Sequence, residues 1–249
     1  MTLSSRRISA LFGALLMLAF AAPAASAAPE LHVEYLRISD VASSASGSAG
    51  ASGQAVRAAP GPCADSAFKL LGAKWPQGSY EWSYNAASTP NYLGALATRR
   101  LISKSFTNVT TAQNNCGIAD DVDATHTFLG NTSSRARCAS RDHNNVIGFK
   151  SLDFGVLAVT CFWTFNGRMV EADMQITTRE HWALSKATCD SEPLLEATVT
   201  HEAGHVYGLD HVGERRHGRL TMSPFLDGPC NNNEATLGRG DIRGLQQLY

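Results

Sequence analysis

The chain has 249 residues, of which 44% are hydrophobic and 17% charged, and its formal net charge is -1. No basic block exceeds Arg215-Arg216 within residues 214–219 (ERRHGR). That balance supplies no electrostatic footprint for nucleic acid or for an anionic membrane surface.

At the N-terminus, Arg6 and Arg7 precede an uncharged run over residues 8–20, followed by small residues ending in Ala25-Ser26-Ala27. A charged region, an apolar region and an A-x-A cleavage site predict a secretory signal peptide over residues 1–27. The apolar run falls short of the ~20 residues needed to span a bilayer, and no later segment approaches that length. The expectation is an exported, extracellular protein without a membrane partner; Ser5-Arg6-Arg7 leaves the Sec and twin-arginine routes both open. Residues 28–40 (APELHVEYLRISD) are too short to fold alone and read as a propeptide remnant or an added strand. Residues 41–60 are mostly Ala, Ser and Gly, with too few large apolar groups to offset the entropy of ordering them, and read as a linker. Residues 61–249 then suffice for one domain with a core of ordinary size, expected to be a monomer.

Six cysteines, Cys63, Cys116, Cys138, Cys161, Cys189 and Cys230, all fall after the signal peptide, and none forms a C-x-x-C pair. An even number in an exported chain predicts three disulfides. Sequence allows 15 connectivities; pairing in chain order gives Cys63 with Cys116, Cys138 with Cys161 and Cys189 with Cys230.

Within the domain, residues 79–85 (SYEWSYN) alternate as a half-buried strand does. Thr89-Pro90 opens a predicted helix to about Ser103, with Tyr92, Leu93, Leu96, Leu101 and Ile102 as its apolar positions. Residues 105–145 are polar and loop-like, and β-rich runs follow at 146–149, 156–163 and 169–177. The element order predicts an α/β sandwich with a mixed sheet. Asp190-Ser191 is a candidate cap for the next helix, with Pro193 in its first turn. Leu194, Leu195, Ala197, Ala203 and Val206 form its buried stripe before Gly208 ends it.

That helix leads into HEAGHVYGLDH at residues 201–211. His201 and His205, one turn apart, project from one helix face, so their imidazoles can converge on one ion at the ~2.0–2.1 Å that zinc requires. Gly208 can adopt a positive φ, turning the chain so that His211 returns as a third ligand. Three protein nitrogens leave a fourth position for water, which marks a catalytic zinc site rather than a structural one. Glu202, beside the ligands, is placed to accept that water's proton.

Here the sequence resembles the metzincin zinc peptidases, whose pattern H-E-x-x-H-x-x-G-x-x-H is complete as His201, Glu202, His205, Gly208 and His211. Thr221-Met222-Ser223-Pro224 is similar to the clan's methionine turn, which implies Met222 as a hydrophobic floor under the imidazoles. Residues 241–249 (DIRGLQQLY) resemble the C-terminal helix of the matrixin branch, the family of the matrix metalloproteinases. Gly155-Val156-Leu157-Ala158 resembles its substrate-binding edge strand. The resemblance implies an α/β, zincin-like catalytic domain with a twisted, mixed, mostly parallel sheet, an active-site helix and a C-terminal helix. It also implies that Leu157 and Ala158 offer backbone groups to an extended peptide, and that Pro224 and Phe225 wall a pocket for a substrate side chain. The matrixin cysteine switch is missing, Pro62-Cys63-Ala64-Asp65 being a poor echo, so Cys63 is better read as a disulfide partner. No ligand set for a second zinc is recognisable around His143 or His181, and calcium stays open.

The function expected is a secreted zinc metalloendopeptidase acting on protein or peptide, with one Zn2+, zinc-activated water and Glu202 as general base. Two other readings share the ligands: a secreted zinc-containing binding module without turnover, and a zinc amidohydrolase on a non-peptide substrate. The presence of Glu202 argues against the first, and the resemblance to peptidases against the second. Asn108 and Asn131 head N-x-[ST] sequons, and Arg239-Gly240-Asp241 reads as a loop-to-helix junction rather than an adhesion tripeptide.

Overall fold

The computed structural model describes residues 28–38 and 59–249. The signal peptide read over 1–27 and nearly all of the linker read over 41–60 lie outside the described residues. In chain order the elements are β1 (Glu30–Ile38), β2 (Lys69–Leu70), β3 (Ser79–Tyr84), α1 (Ala95–Thr110), β4 (Thr125–Asn131), β5 (Val146–Lys150), β6 (Val156–Phe165) and β7 (Arg168–Thr177). There follow α2 (Leu195–Val206), β8 (Leu209–Asp210), the single-turn α3 (Glu214–His217), β9 (Phe225–Leu226) and α4 (Arg239–Leu248).

Seven strands make one sheet in the order β4-β3-β5-β7-β6-β1-β9, and β2 pairs with β8 apart from it. β3 is parallel to β4 and β5, β5 to β7, and β1 to β9, while β6 runs antiparallel to both β7 and β1. The sheet is therefore mixed and mostly parallel, as expected. Its centre falls where the sequence is a continuous run of β-branched and aromatic residues: β6 (VLAVTCFWTF) is buried at every position but its last. Such a strand must be covered on both faces. α1 and α2 pack over one face, and the loop over residues 132–145 crosses the other, clipped to β6 by Cys138–Cys161. Carboxylates of the neighbouring strand order that loop: Asp173 accepts the backbone N–H groups of Arg137 and Val146 at 2.6 and 2.7 Å, and Glu171 that of Asp142 at 3.0 Å. The three disulfides pair in chain order. Among the described residues, no helix is long and apolar enough to cross a membrane.

Three local expectations are corrected. The first long helix begins at Ala95, not Pro90, and runs to Thr110 rather than Ser103. Residues 90–94 are a turn, in which Leu93 N–H donates to the Pro90 carbonyl at 2.9 Å. The stripe that buries is Thr98, Ile102, Phe106 and Val109, spaced as one helix face, with Phe106 stacked against Tyr80 and Trp82. Leu96 and Tyr92, two of the apolar positions expected along that helix, are 57% and 47% exposed. Secondly, residues 105–145 hold the end of α1 and the strand β4, whose hidden-exposed alternation is too polar to announce itself and exists through pairing with β3. Thirdly, α2 starts at Leu195 with no side-chain cap, and Pro193 precedes it. A backbone bridge does the work assigned to Asp190-Ser191: Ala183 N–H donates to the Pro193 carbonyl and Leu195 N–H to the Ala183 carbonyl, both at 3.1 Å.

Asn108 is 5% exposed, and its amide donates to Glu196, Thr200 and Ala235, so this sequon is a buried clamp between α1 and α2 rather than a glycan acceptor. Ile102→Ala, at a fully buried position, should lower the unfolding free energy by about 2–4 kcal/mol. Leu96→Ala should change it by less than about 0.5 kcal/mol. Urea titration of both variants checks the helix phase, and equal losses would show that Leu96 is buried as Ile102 is.

Candidate active site

Every residue of α2 except Glu196 is buried, so the helix runs through the interior with its last two turns under β1 and β6. His201, Glu202 and His205 lie on it. Past its end, Gly208 has φ +94°, and a Cβ there would stand 2.5 Å from the Ala73 carbonyl oxygen. No other residue type fits that turn without strain. The chain reverses through β8, which pairs with β2, and returns His211 to the two helical histidines.

The Nε2 atoms of His201, His205 and His211 stand 3.0–3.1 Å apart in a near-equilateral triangle. Their other ring nitrogens explain what that triangle is. His201 Nδ1 lies 2.6 Å from the Thr221 carbonyl and His205 Nδ1 lies 2.9 Å from the Leu209 carbonyl. A carbonyl only accepts, so both Nδ1 atoms carry protons and both Nε2 atoms present lone pairs. Burial, together with the neighbouring His211, holds His201 down to about 3, and burial holds His205 well below its ordinary value. Two neutral imidazoles thus face each other lone pair to lone pair with no proton between them, an arrangement a shared cation relieves. The edges are close to the about 3.3 Å that tetrahedral bonds of about 2.0–2.1 Å make. The three histidines can hold one metal ion.

The carbonyls that set the tautomers are themselves held. Asp241, fully buried at the start of α4, accepts the N–H groups of Thr221, Met222 and Gly238 at 3.0, 3.2 and 2.8 Å. Burial pushes its carboxyl up to about 6 against those bonds. Met222 packs its sulfur onto Gly204, where a Cβ would overlap it, and its carbonyl accepts Val212 N–H at 3.0 Å. Met222 is thus the floor on which the helix and the returning loop meet.

Glu202 is fully buried, accepting the Thr160 hydroxyl on Oε2 at 2.5 Å, while Oε1 has no hydrogen-bond partner among the described residues. Burial pushes its carboxyl up to about 8; the Thr160 hydroxyl and the nearby Leu36 amide pull the other way. An unsatisfied buried carboxyl oxygen beside a metal-ready triangle is equipped to take or hold a proton.

A family model described as matrixin matches residues 74–249. The chain belongs to the matrixin family. It is, in the general sense, a zinc metallopeptidase whose substrate is protein. A search among curated proteins returned no match.

This matrixin differs from its expected form at the strand read as a free edge. Leu157 and Ala158 are fully buried, and β1 lies along β6 with Leu36 opposite Ala158. Pro224 and Phe225 pair with the same strand: Arg37 N–H donates to the Pro224 carbonyl at 3.1 Å, and Arg37 and Phe225 are partners in register. Glu34, on β1, places Oε2 3.3 Å from His211 Nδ1, with Asp210 alongside. Tyr207 is core, its hydroxyl donating to the Thr125 carbonyl at 2.6 Å, and Asp241 is an internal strut rather than an exposed adhesion residue.

Sequence reasoning missed three participants. Gly204 had a signal, because glycine inside a helix costs about 1 kcal/mol against alanine and asks for a packing reason. Thr160 and Glu34 had none, since their partners are 42 and 177 positions away along the chain. Asp241→Ala would leave three buried N–H groups unpaired and should cost about 3 kcal/mol or more in urea unfolding. A loss below about 1 kcal/mol would show that the methionine turn holds itself.

Proposed function

We propose that this matrixin is an exported zinc endopeptidase in which His201, His205 and His211 are the metal ligands and Glu202 is the general base. The observation that carries the reading is the triangle of Nε2 lone pairs, each helical ring locked in its tautomer by a main-chain carbonyl, with the free Oε1 of Glu202 in the next position on the helix. Zinc, when bound, acidifies a water molecule and polarises a carbonyl group.

The chain's own residues supply the rest. Neutral His201 and His205 can ligate without first losing a proton, and their Nδ1 bonds to Thr221 and Leu209 keep the rings from rotating out of the triangle. Glu202 takes a proton on Oε1 and returns it to the leaving amine, while Thr160 keeps Oε2 in place. An extended peptide entering beside Glu202 can bond to β6 on one side and to the Pro224 carbonyl on the other, as β1 does now. The signal peptide read over residues 1–27 and three disulfides support export.

Hydrolysis of casein, measured on the intact chain and on chain nicked within residues 39–58, should vanish on chelation and return with zinc. Hydrolysis that survives metal removal excludes the assignment, and one bound zinc with no hydrolysis in either form would favour the binding-module reading. Glu202→Gln should retain about one zinc by metal analysis and lose at least ~100-fold in turnover. A variant of undiminished rate would remove Glu202 as the base.

A further inference from the structure

β1 is joined to the strands beside it from far away along the chain. It lies between β6 and β9, and β9 joins the sheet through β1. Eight positions, from Glu30 opposite Thr164 to Arg37 opposite Val156, pair with β6, and Arg37 and Ile38 then pair in parallel with Phe225 and Leu226. The space between β6 and the Pro224–Leu226 segment is therefore a slot one strand wide, lined on both sides by backbone bonding groups and passing beside Glu202 and the three histidines.

Alternate side chains of β1 face the domain. His32 stacks on Phe162 with ring centroids 5.0 Å apart and pairs with Thr164 Oγ1 at 3.1 Å. Glu34 sits opposite Thr160 with its carboxylate against His211. Leu36 is 1% exposed and packs into the main core. The residues between them face outward, Leu31 and Tyr35 being more than 40% exposed. Backbone pairing for affinity, with alternate side chains in pockets, is how a sheet edge binds an extended peptide ligand.

From this we infer that residues 30–38 are an intrachain inhibitor, a strand that fills the peptide slot and keeps the matrixin latent until it leaves. The inference rests on the peptidase reading above. Cys63 is disulfide-bonded to Cys116 and cannot serve as a blocking thiol; occupancy by β1 does the blocking instead. A substrate and β1 compete for the same bonds to β6 and Pro224, so the competent fraction of the protein is the fraction from which the strand has detached. Glu34 adds a charge contact at the centre, and Leu36 adds the buried anchor.

The test uses the full zinc-loaded chain with a recognition sequence for a specific protease in place of residues 45–52. After the cut and removal of the N-terminal fragment, hydrolysis of a fluorogenic peptide should rise at least ~10-fold. A fluorescein-labelled synthetic peptide of residues 28–40 should bind the cut protein, by anisotropy, and suppress the gained activity. In the uncut chain, Leu36→Asp should raise hydrolysis by a similar factor, and Glu34→Gln by less. If no form hydrolyses peptide but the labelled peptide still binds the cut protein and not the intact one, the peptidase reading fails while the occupied slot stands. An intact chain as active as the cut one overturns the inference, as does a cut protein that neither gains activity nor binds the peptide. If the cut protein unfolds, Leu36→Asp decides: an uncut variant no more active than the parent makes β1 a permanent structural strand and overturns the inference as well.

Discussion

The Nε2 lone pairs of His201 and His205 face each other and repel, and the contacts around them keep them there. The bonds from His201 Nδ1 to Thr221 and from His205 Nδ1 to Leu209 hold the rings against that repulsion. They in turn need Asp241 to pin Thr221 and Met222 from below, and Gly208 to bring Leu209 and His211 round. A cation held by the three histidines would relieve that repulsion, because lone pairs that oppose each other attract it together. This explains why a buried acid is tolerated at Asp241: its cost is offset by three backbone bonds that position the metal's supports.

The same geometry creates the demand for a gate. In the proposed reading Glu202 serves as the base through the carboxyl oxygen that is buried without a hydrogen-bond partner among the described residues, and an extended chain must pass beside it. The slot between β6 and the Pro224–Leu226 segment admits one strand, and in this structure the chain's own residues 30–38 lie in it. The two walls of the slot and the strand that fills it therefore belong to one sheet. A β-strand can be both an element of the fold and a ligand of the site, since the hydrogen bonds it makes are the same in either role.

Much of this was legible in the residues. Spacing placed two histidines and Glu202 on a helix, glycine chemistry anticipated the turn at Gly208, and the chain-order disulfides hold. β6 and β7 were readable as runs of β-branched and aromatic residues. The errors share a cause. Leu96 is one of the apolar positions expected along the first helix, yet the buried stripe of α1 is chosen by what lies opposite, namely Tyr80 and Trp82. Asp190-Ser191 looked like a cap, but a backbone bridge from Ala183 satisfies the start of α2 instead. β4 has no strong pattern and is made by pairing with β3.

Local chemistry, then, was enough to anticipate the meeting of the three histidines and to point to the family, because helix periodicity and the conformational freedom of glycine act over a few residues and are written in their order. Which strand lies between β6 and β9, which hydroxyl bonds to Glu202 and which carboxylate meets His211 were decided by folding alone. Glu34 lies 177 positions from His211, and backbone pairing between β1 and β6 carries no residue code that a linear reading could detect. Hydrogen bonds of the main chain are the same for every residue type, so only the closed sheet shows where they go.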